Sequence, residues 1–255
     1  MKRVLTTLAL IPFAIFTIFF GPHWFFTVVA IGMAVACYFE YSAIVGAHGI
    51  APPGIPGCLI GLLLFVDLAW VRIAAIFALV LSFRFEDMAK VLPYASSIVL
   101  GAVYIFGAWR CAMELHAISA NWILFALAIN WVGDIAALYT GKAFGRHKLA
   151  PSISPGKTVE GAMGSMMAAL LFGAAFRHFL MPAIPLIEIL VFSAIGNVAG
   201  QTGDLAESAL KRGAGMKDSG TLLPGHGGFL DRLDSSLFTL PVTYALLRYT
   251  PQLFQ

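Results

Sequence analysis

Long apolar runs recur along nearly the whole of this chain, and that recurrence restricts it to a fold that lies in lipid. Of its 255 residues, 60% are hydrophobic and 11% charged, against roughly 45–50% and about 25% in a soluble domain. A water-facing surface could not absorb that difference. The expected fold class is therefore all-α: a polytopic integral membrane protein, a single membrane-embedded domain over residues 1–255. Nine spans are expected, roughly over 4–20, 24–45, 55–66, 69–83, 94–113, 122–139, 159–179, 186–208 and 235–249. The third and fourth are short for a bilayer that asks for about 20 residues; read as one tilted span, they would leave eight. The start, Met1-Lys2-Arg3 ahead of an apolar run, has the look of a signal peptide. Pro12 interrupts the run and no A-x-A-like cleavage site follows, so an uncleaved first span is expected.

Positive charge sets the orientation. With nine spans and the N-terminus inside, Lys2, Arg3, Arg84, Lys90, Lys142, Arg146, Lys148, Lys157, Lys211, Arg212, Lys217 and Arg232 are cytoplasmic, while only Arg110, Arg177 and Arg248 lie opposite. That asymmetry is what the positive-inside rule requires, and eight spans would break it. The formal net charge of +3 is too small to point to nucleic acid. Cys37, Cys58 and Cys111 lie in apolar segments without metal-ligand spacing and read as packing residues.

Two cytoplasmic segments, roughly 140–160 and 209–234, hold most of the unusual chemistry. Leading into the second, Asn197, Gln201, Asp204, Ser208 and Lys211 follow one another at spacings of 4, 3, 4 and 3, which lines one helix face. A carboxylate turned to lipid would cost about 2.5–3.5 kcal/mol, so Asp204 is expected to face a polar cavity, a partner or a cation. Asn130 and Asp134 are one turn apart near the end of the sixth span; Asp134 either balances a base such as Lys157 or helps hold a cation. Gly161, Ser165, Ala169 and Gly173 recur every fourth residue, the pattern of close helix packing.

Downstream, Lys211, Arg212 and Lys217 precede Pro224-Gly225-His226-Gly227-Gly228, whose backbone N–H groups can converge on an anion. Asp231-Arg232-Leu233-Asp234 follows at once. Asp231 and Asp234 fall on one side of a helix start, where acids either complement the helix dipole or bind a metal. Carboxylates for Mg²⁺, cations for polyphosphate and backbone donors for phosphate oxygens are together what phosphoryl or nucleotidyl transfer needs.

The 27 positions from Ser208-Ala209-Leu210-Lys211-Arg212 through Lys217-Asp218 to Leu223-Pro224-Gly225-His226-Gly227-Gly228-Phe229-Leu230-Asp231-Arg232-Leu233-Asp234 resemble the signature of the phosphatidate cytidylyltransferase family. Ser154-Pro155-Gly156-Lys157-Thr158-Val159-Glu160 is similar to that family's other cytoplasmic motif. One departure is Gly133-Asp134-Ile135-Ala136, where an Asn-Asp-Thr-like start is more usual; Asp134 itself remains.

The resemblance implies an enzyme that transfers the cytidylyl group of CTP to phosphatidate, giving CDP-diacylglycerol and pyrophosphate for phospholipid synthesis. It implies Mg²⁺ on Asp204 and Asp231, with Lys211 and Arg212 beside them in catalysis. It implies that Lys211, Arg212, Lys217, His226 and Arg232 help bind CTP; Asp218, Gly227, Gly228, Asp234, Ser208, Asp134, Lys142, Ser154, Lys157 and Glu160 are further expected substrate-binding residues. Asp204 and Asp231 are expected to meet around one divalent ion, and Asn at either is expected to leave folding intact. The partners are CTP, phosphatidate and membrane lipid, with a homodimer allowed, in the bacterial inner membrane. A CTP-dependent lipid or polyprenol kinase, a transporter of an anionic metabolite and a structural membrane subunit are the competing readings.

Overall fold

The computed structural model describes residues 12–221 and 227–249. A π-helical turn, Phe16–Phe20, precedes α1, His23–Ala47. α2, Gly54–Val66, and α3, Val71–Ser82, are followed by the long helix α4, Met88–Ile118, and by α5, Ala120–Phe144. A short antiparallel hairpin comes next, β1, Lys148–Ala150, with β2, Ser154–Thr158. Three helices complete the described chain: α6, Val159–Leu180, α7, Leu186–Gly213, and α8, Leu230–Tyr249.

Of these, α1, α4, α5, α6 and α7 are both long and apolar enough to cross a bilayer, and the protein is an all-α integral membrane protein. A helix satisfies all its backbone hydrogen bonds internally, which lipid demands. The third and fourth expected spans are separate helices of 13 and 12 residues. Between them Asp67 is extended, at φ −159°, and its side chain accepts the N–H of Ala69, capping a 3₁₀ turn. The first expected span, 4–20, lies partly outside the described residues, as do Lys2 and Arg3. The hairpin differs from the loop expected over 140–160.

The chain divides into two compact units. One comprises 1–113 with 210–233, the other 114–209 with 234–255. The core of the first is aromatic: Tyr38, Tyr41, Tyr94 and Phe106 are fully or nearly fully buried, and the Tyr41 hydroxyl donates to Ser97 O at 2.9 Å. Phe106 sits in a π-helical stretch of α4, Ala102–Gly107, with its ring centroid 5.2 Å from that of Tyr38.

In the second unit α6 is sorted by size rather than polarity. Gly161, Ser165, Ala169 and Gly173 are buried, while Met163, Met167 and Leu171 form an exposed apolar stripe. The small face admits its neighbours closely: a Cβ on Gly133 of α5 would collide with Ser165 Oγ and Asn197 Nδ2. Asn197 Nδ2 donates to Ser165 Oγ at 2.9 Å, and its Oδ1 accepts from Gln201 Nε2 at 2.6 Å. Asn130 accepts from the Thr239 hydroxyl at 3.0 Å. These buried amides hold α5, α6, α7 and α8 together, and their hydrogen bonds stand in for the hydrophobic drive that lipid removes.

Candidate active site

The hairpin and the first turn of α6 form a joint built by local chemistry. Thr158 caps α6, its Oγ1 accepting the Gly161 N–H at 3.1 Å. Glu160 reaches back to accept the N–H groups of Arg146, at 3.1 Å, and His147, at 3.3 Å, and lies 2.6 Å from His147 Nδ1. The joint turns Lys157 toward α7, where its Nζ lies 2.5 Å from Asp204 Oδ2. Ser208, one turn on, donates to Asp204 Oδ1 at 3.3 Å.

These residues border a cavity of about 530 Å³, within the roughly 300–1,000 Å³ usual for small-molecule sites. Asp134, Lys142, Ser154, Lys157 and Asp204 all line it, with Gln201 at its wall. Five expected site residues thus share one wall-to-wall space. Glu160 is not among the lining residues; its carboxylate is spent on the hairpin.

In the other unit the acid and base are packed more tightly. Lys211 Nζ lies 2.5 Å from Asp231 Oδ1, with both side chains about nine-tenths buried (11% and 10% exposed). Asp231 also accepts the N–H of Ser219, at 2.9 Å, and of Gly228, at 2.9 Å. Burial alone would raise the Asp231 carboxyl, but the Lys211 ammonium and these two N–H groups outweigh it and hold the carboxyl below its ordinary value. Gly227 has φ +83°, a left-handed conformation suited to glycine.

Arg212, Lys217, Asp218 and Arg232 are exposed, with the Arg212 guanidinium donating to Met216 O at 3.3 Å. Asp234 accepts the N–H of Ser235 at 2.7 Å. His226 lies outside the described residues.

Glu40, on α1, is not among the expected site residues. It is buried, and it accepts the Ser219 hydroxyl and the N–H groups of Phe229 and Leu230. The signal was present, because a carboxylate inside an apolar span is expensive and points to a specific task.

Among the described residues no three His, Cys, Asp or Glu side chains converge on one point. Asp134 and Asp204 nevertheless line the same cavity. Two carboxylates with space beside them fit Mg²⁺, which takes a few protein oxygens and completes its shell with water and phosphate. Asp204 also has a partner on each oxygen, Lys157 and Ser208, but it is 29% exposed; Asp231 is 10% exposed and accepts from Lys211, Ser219 and Gly228, so it has less room for a cation.

The family model described as "Cytidylyltransferase family" matches residues 1–250. The chain belongs to the cytidylyltransferase family. Among curated proteins it is similar to the phosphatidate cytidylyltransferase of Bacillus subtilis (strain 168), 40% identical over 179 residues, which cover 68% of this chain and 66% of that protein. The protein of that name from Staphylococcus saprophyticus is 40% identical over 165 residues, covering 65% of this chain and 61% of the relative. The Staphylococcus epidermidis one is 38% identical over 168 residues, covering 66% and 62%. In each case the matched stretch spans a little under two thirds of the relative's length. In this cytidylyltransferase-family member, Asp134, Lys142, Lys157 and Asp204 line the cavity of one unit, and Lys211 and Asp231 pair in the other.

Proposed function

We propose that the protein transfers the cytidylyl group of CTP to phosphatidate, forming CDP-diacylglycerol and pyrophosphate. The observation that carries this reading is the cavity in which Asp134, Lys142, Lys157 and Asp204 stand together amid apolar helices. Family membership and relatives named for this reaction support it. One oxygen of the phosphatidate phosphate attacks the α-phosphorus of CTP; a new P–O bond forms, the bond from that phosphorus to the β-phosphate bridge breaks, and pyrophosphate leaves.

Phosphatidate is already an anion at neutral pH, so the protein has little need of a strong general base. Its harder task is to bring two polyanions together. Lys142 and Lys157 supply positive charge at the cavity, and Lys211, Arg212, Lys217 and Arg232 supply it around the 209–234 segment. Mg²⁺, when bound, offsets charge on the phosphate oxygens. Asp204 with Asp134 is the carboxylate set proposed to hold it, and Asp231 is a further candidate once Lys211 releases it. Acyl chains remain in lipid while the headgroup meets the nucleotide at the interface. The distribution of Lys and Arg supports a cytoplasmic site, and the bacterial relatives support a bacterial inner membrane as its setting.

The test is an omission series. Detergent-solubilised protein receives CTP, phosphatidate and Mg²⁺, and each is then left out in turn. Pyrophosphate and liponucleotide should form only in the complete mixture; either product in the absence of phosphatidate would exclude the reading.

A further inference from the structure

Glu40 stands 179 residues before Ser219 in the chain, yet its carboxylate is taken up entirely by the segment around the Lys211–Asp231 pair. Oε2 accepts the Ser219 hydroxyl at 2.9 Å and the Leu230 N–H at 2.8 Å, and Oε1 accepts the Phe229 N–H at 3.0 Å. The last two donors stand at the entry of α8, where a helix leaves N–H groups without intrahelical partners and favours negative charge. Ser219 then couples two carboxylates: its hydroxyl serves Glu40 while its N–H serves Asp231. Gly228 does likewise, donating its N–H to Asp231 and lying so close to Glu40 that a Cβ there would collide with the Glu40 carboxylate.

We infer that Glu40 is a positioning residue, which fixes the backbone on both sides of 220–228 and so sets the Asp231 carboxylate against Lys211. The inference rests on the reading of Asp231 and Lys211 as part of the site. The chemistry of the acceptor matters. The two backbone N–H groups approach different oxygens, so a glutamine amide can serve only one and turns its NH₂ against the other. An aliphatic side chain could fill the same space but would hold neither N–H.

Glu40→Gln keeps the size and removes one acceptor. Its kcat per folded molecule should fall about tenfold to a hundredfold, as when a supporting group displaces a reacting one by about 1 Å, while KM for phosphatidate stays at the parent value. Hydrogen exchange at Ser219 and at 228–230 should become about tenfold faster, as expected when local opening loses a buried hydrogen bond. Combining Glu40→Gln with Ser219→Ala should cost less than the product of the single effects, since both act through one contact.

Parental turnover per folded molecule, even with a lowered thermal midpoint, would overturn the inference, and so would unchanged exchange. Should the parent protein itself make no liponucleotide, the proposed reaction would fail separately. Exchange in Glu40→Gln would then decide alone, faster upholding the positioning role and unchanged rejecting it.

Discussion

Lys157 Nζ and Asp204 Oδ2 lie 2.5 Å apart, joining the strand before α6 to the polar face of α7. Both side chains keep more than a quarter of their surface exposed, at 27% and 29%, so the pair is held loosely enough to exchange partners. A bound polyanion would draw Lys157 away and free Asp204 for a cation. Asp204→Asn should therefore leave the fold intact, lower kcat by about 10²–10³-fold, and leave KM for CTP unchanged or smaller, because Lys157 loses its internal competitor. Steady-state kinetics on the purified variant checks this; near-parental kcat would remove Asp204 from the chemistry.

Asp231→Asn should behave differently. Its Lys211 partner is nearly buried, and breaking a buried pair by removing one member costs about 3–5 kcal/mol. Here Ser219 and Gly228 also lose part of their acceptor. The variant should show a clearly lower thermal midpoint in detergent, which Asp204→Asn should not. This departs from the expectation drawn from sequence that both variants fold normally. The structure supplies the reason in the donors that surround Asp231.

The same carboxylate gives a pH dependence. Its folded value is depressed, so its contribution to stability is complete above the unfolded aspartate value, about 3.9, and is lost as pH falls through the lower folded value. Acid unfolding of the parent should steepen there, and Asp231→Asn should remove that component.

Chelation should abolish turnover, and Mg²⁺ should restore it. Asp134→Asn should raise the Mg²⁺ concentration for half-maximal rate by about tenfold or more, since Asp134 lines the cavity with Asp204. An unchanged Mg²⁺ dependence would leave Asp134 as no more than a neighbour of Lys157.

Asn197→Ala should act on stability alone. Asn197 is 2% exposed and bridges Ser165 and Gln201. Interhelical hydrogen bonds of this kind average about 0.6 kcal/mol and reach about 1.7. Unfolding in mixed micelles should show a loss of that order, with KM for CTP unaltered.

Much of the site is written into helical spacing. Asp204 stands on a polar face that continues from Asn197, and a charged residue there needed a cavity; the cavity exists, and Asp134 lines it one turn along from Asn130 on α5. Along that same face Asn197 and Gln201 turn out to hold helices together, because spacing shows which residues share a side but not what faces them. The hairpin was hidden, since strands of three and five residues carry no periodic signal. Glu160 followed from it, occupied by His147 thirteen residues upstream. Glu40 could have been flagged by the cost of burying a carboxylate in an apolar span, but its partners, 179 to 190 residues away, are set only by tertiary packing.

The most direct measurement follows the label from CTP. Purified protein is given phosphatidate and Mg²⁺ with CTP carrying ³²P at either the α or the γ position, and the lipid extract is counted. Cytidylyl transfer puts the α label into lipid and the γ label into pyrophosphate. γ label in the lipid with release of CDP would make the protein a kinase, and no label in lipid from either position would leave the proposed reaction without support.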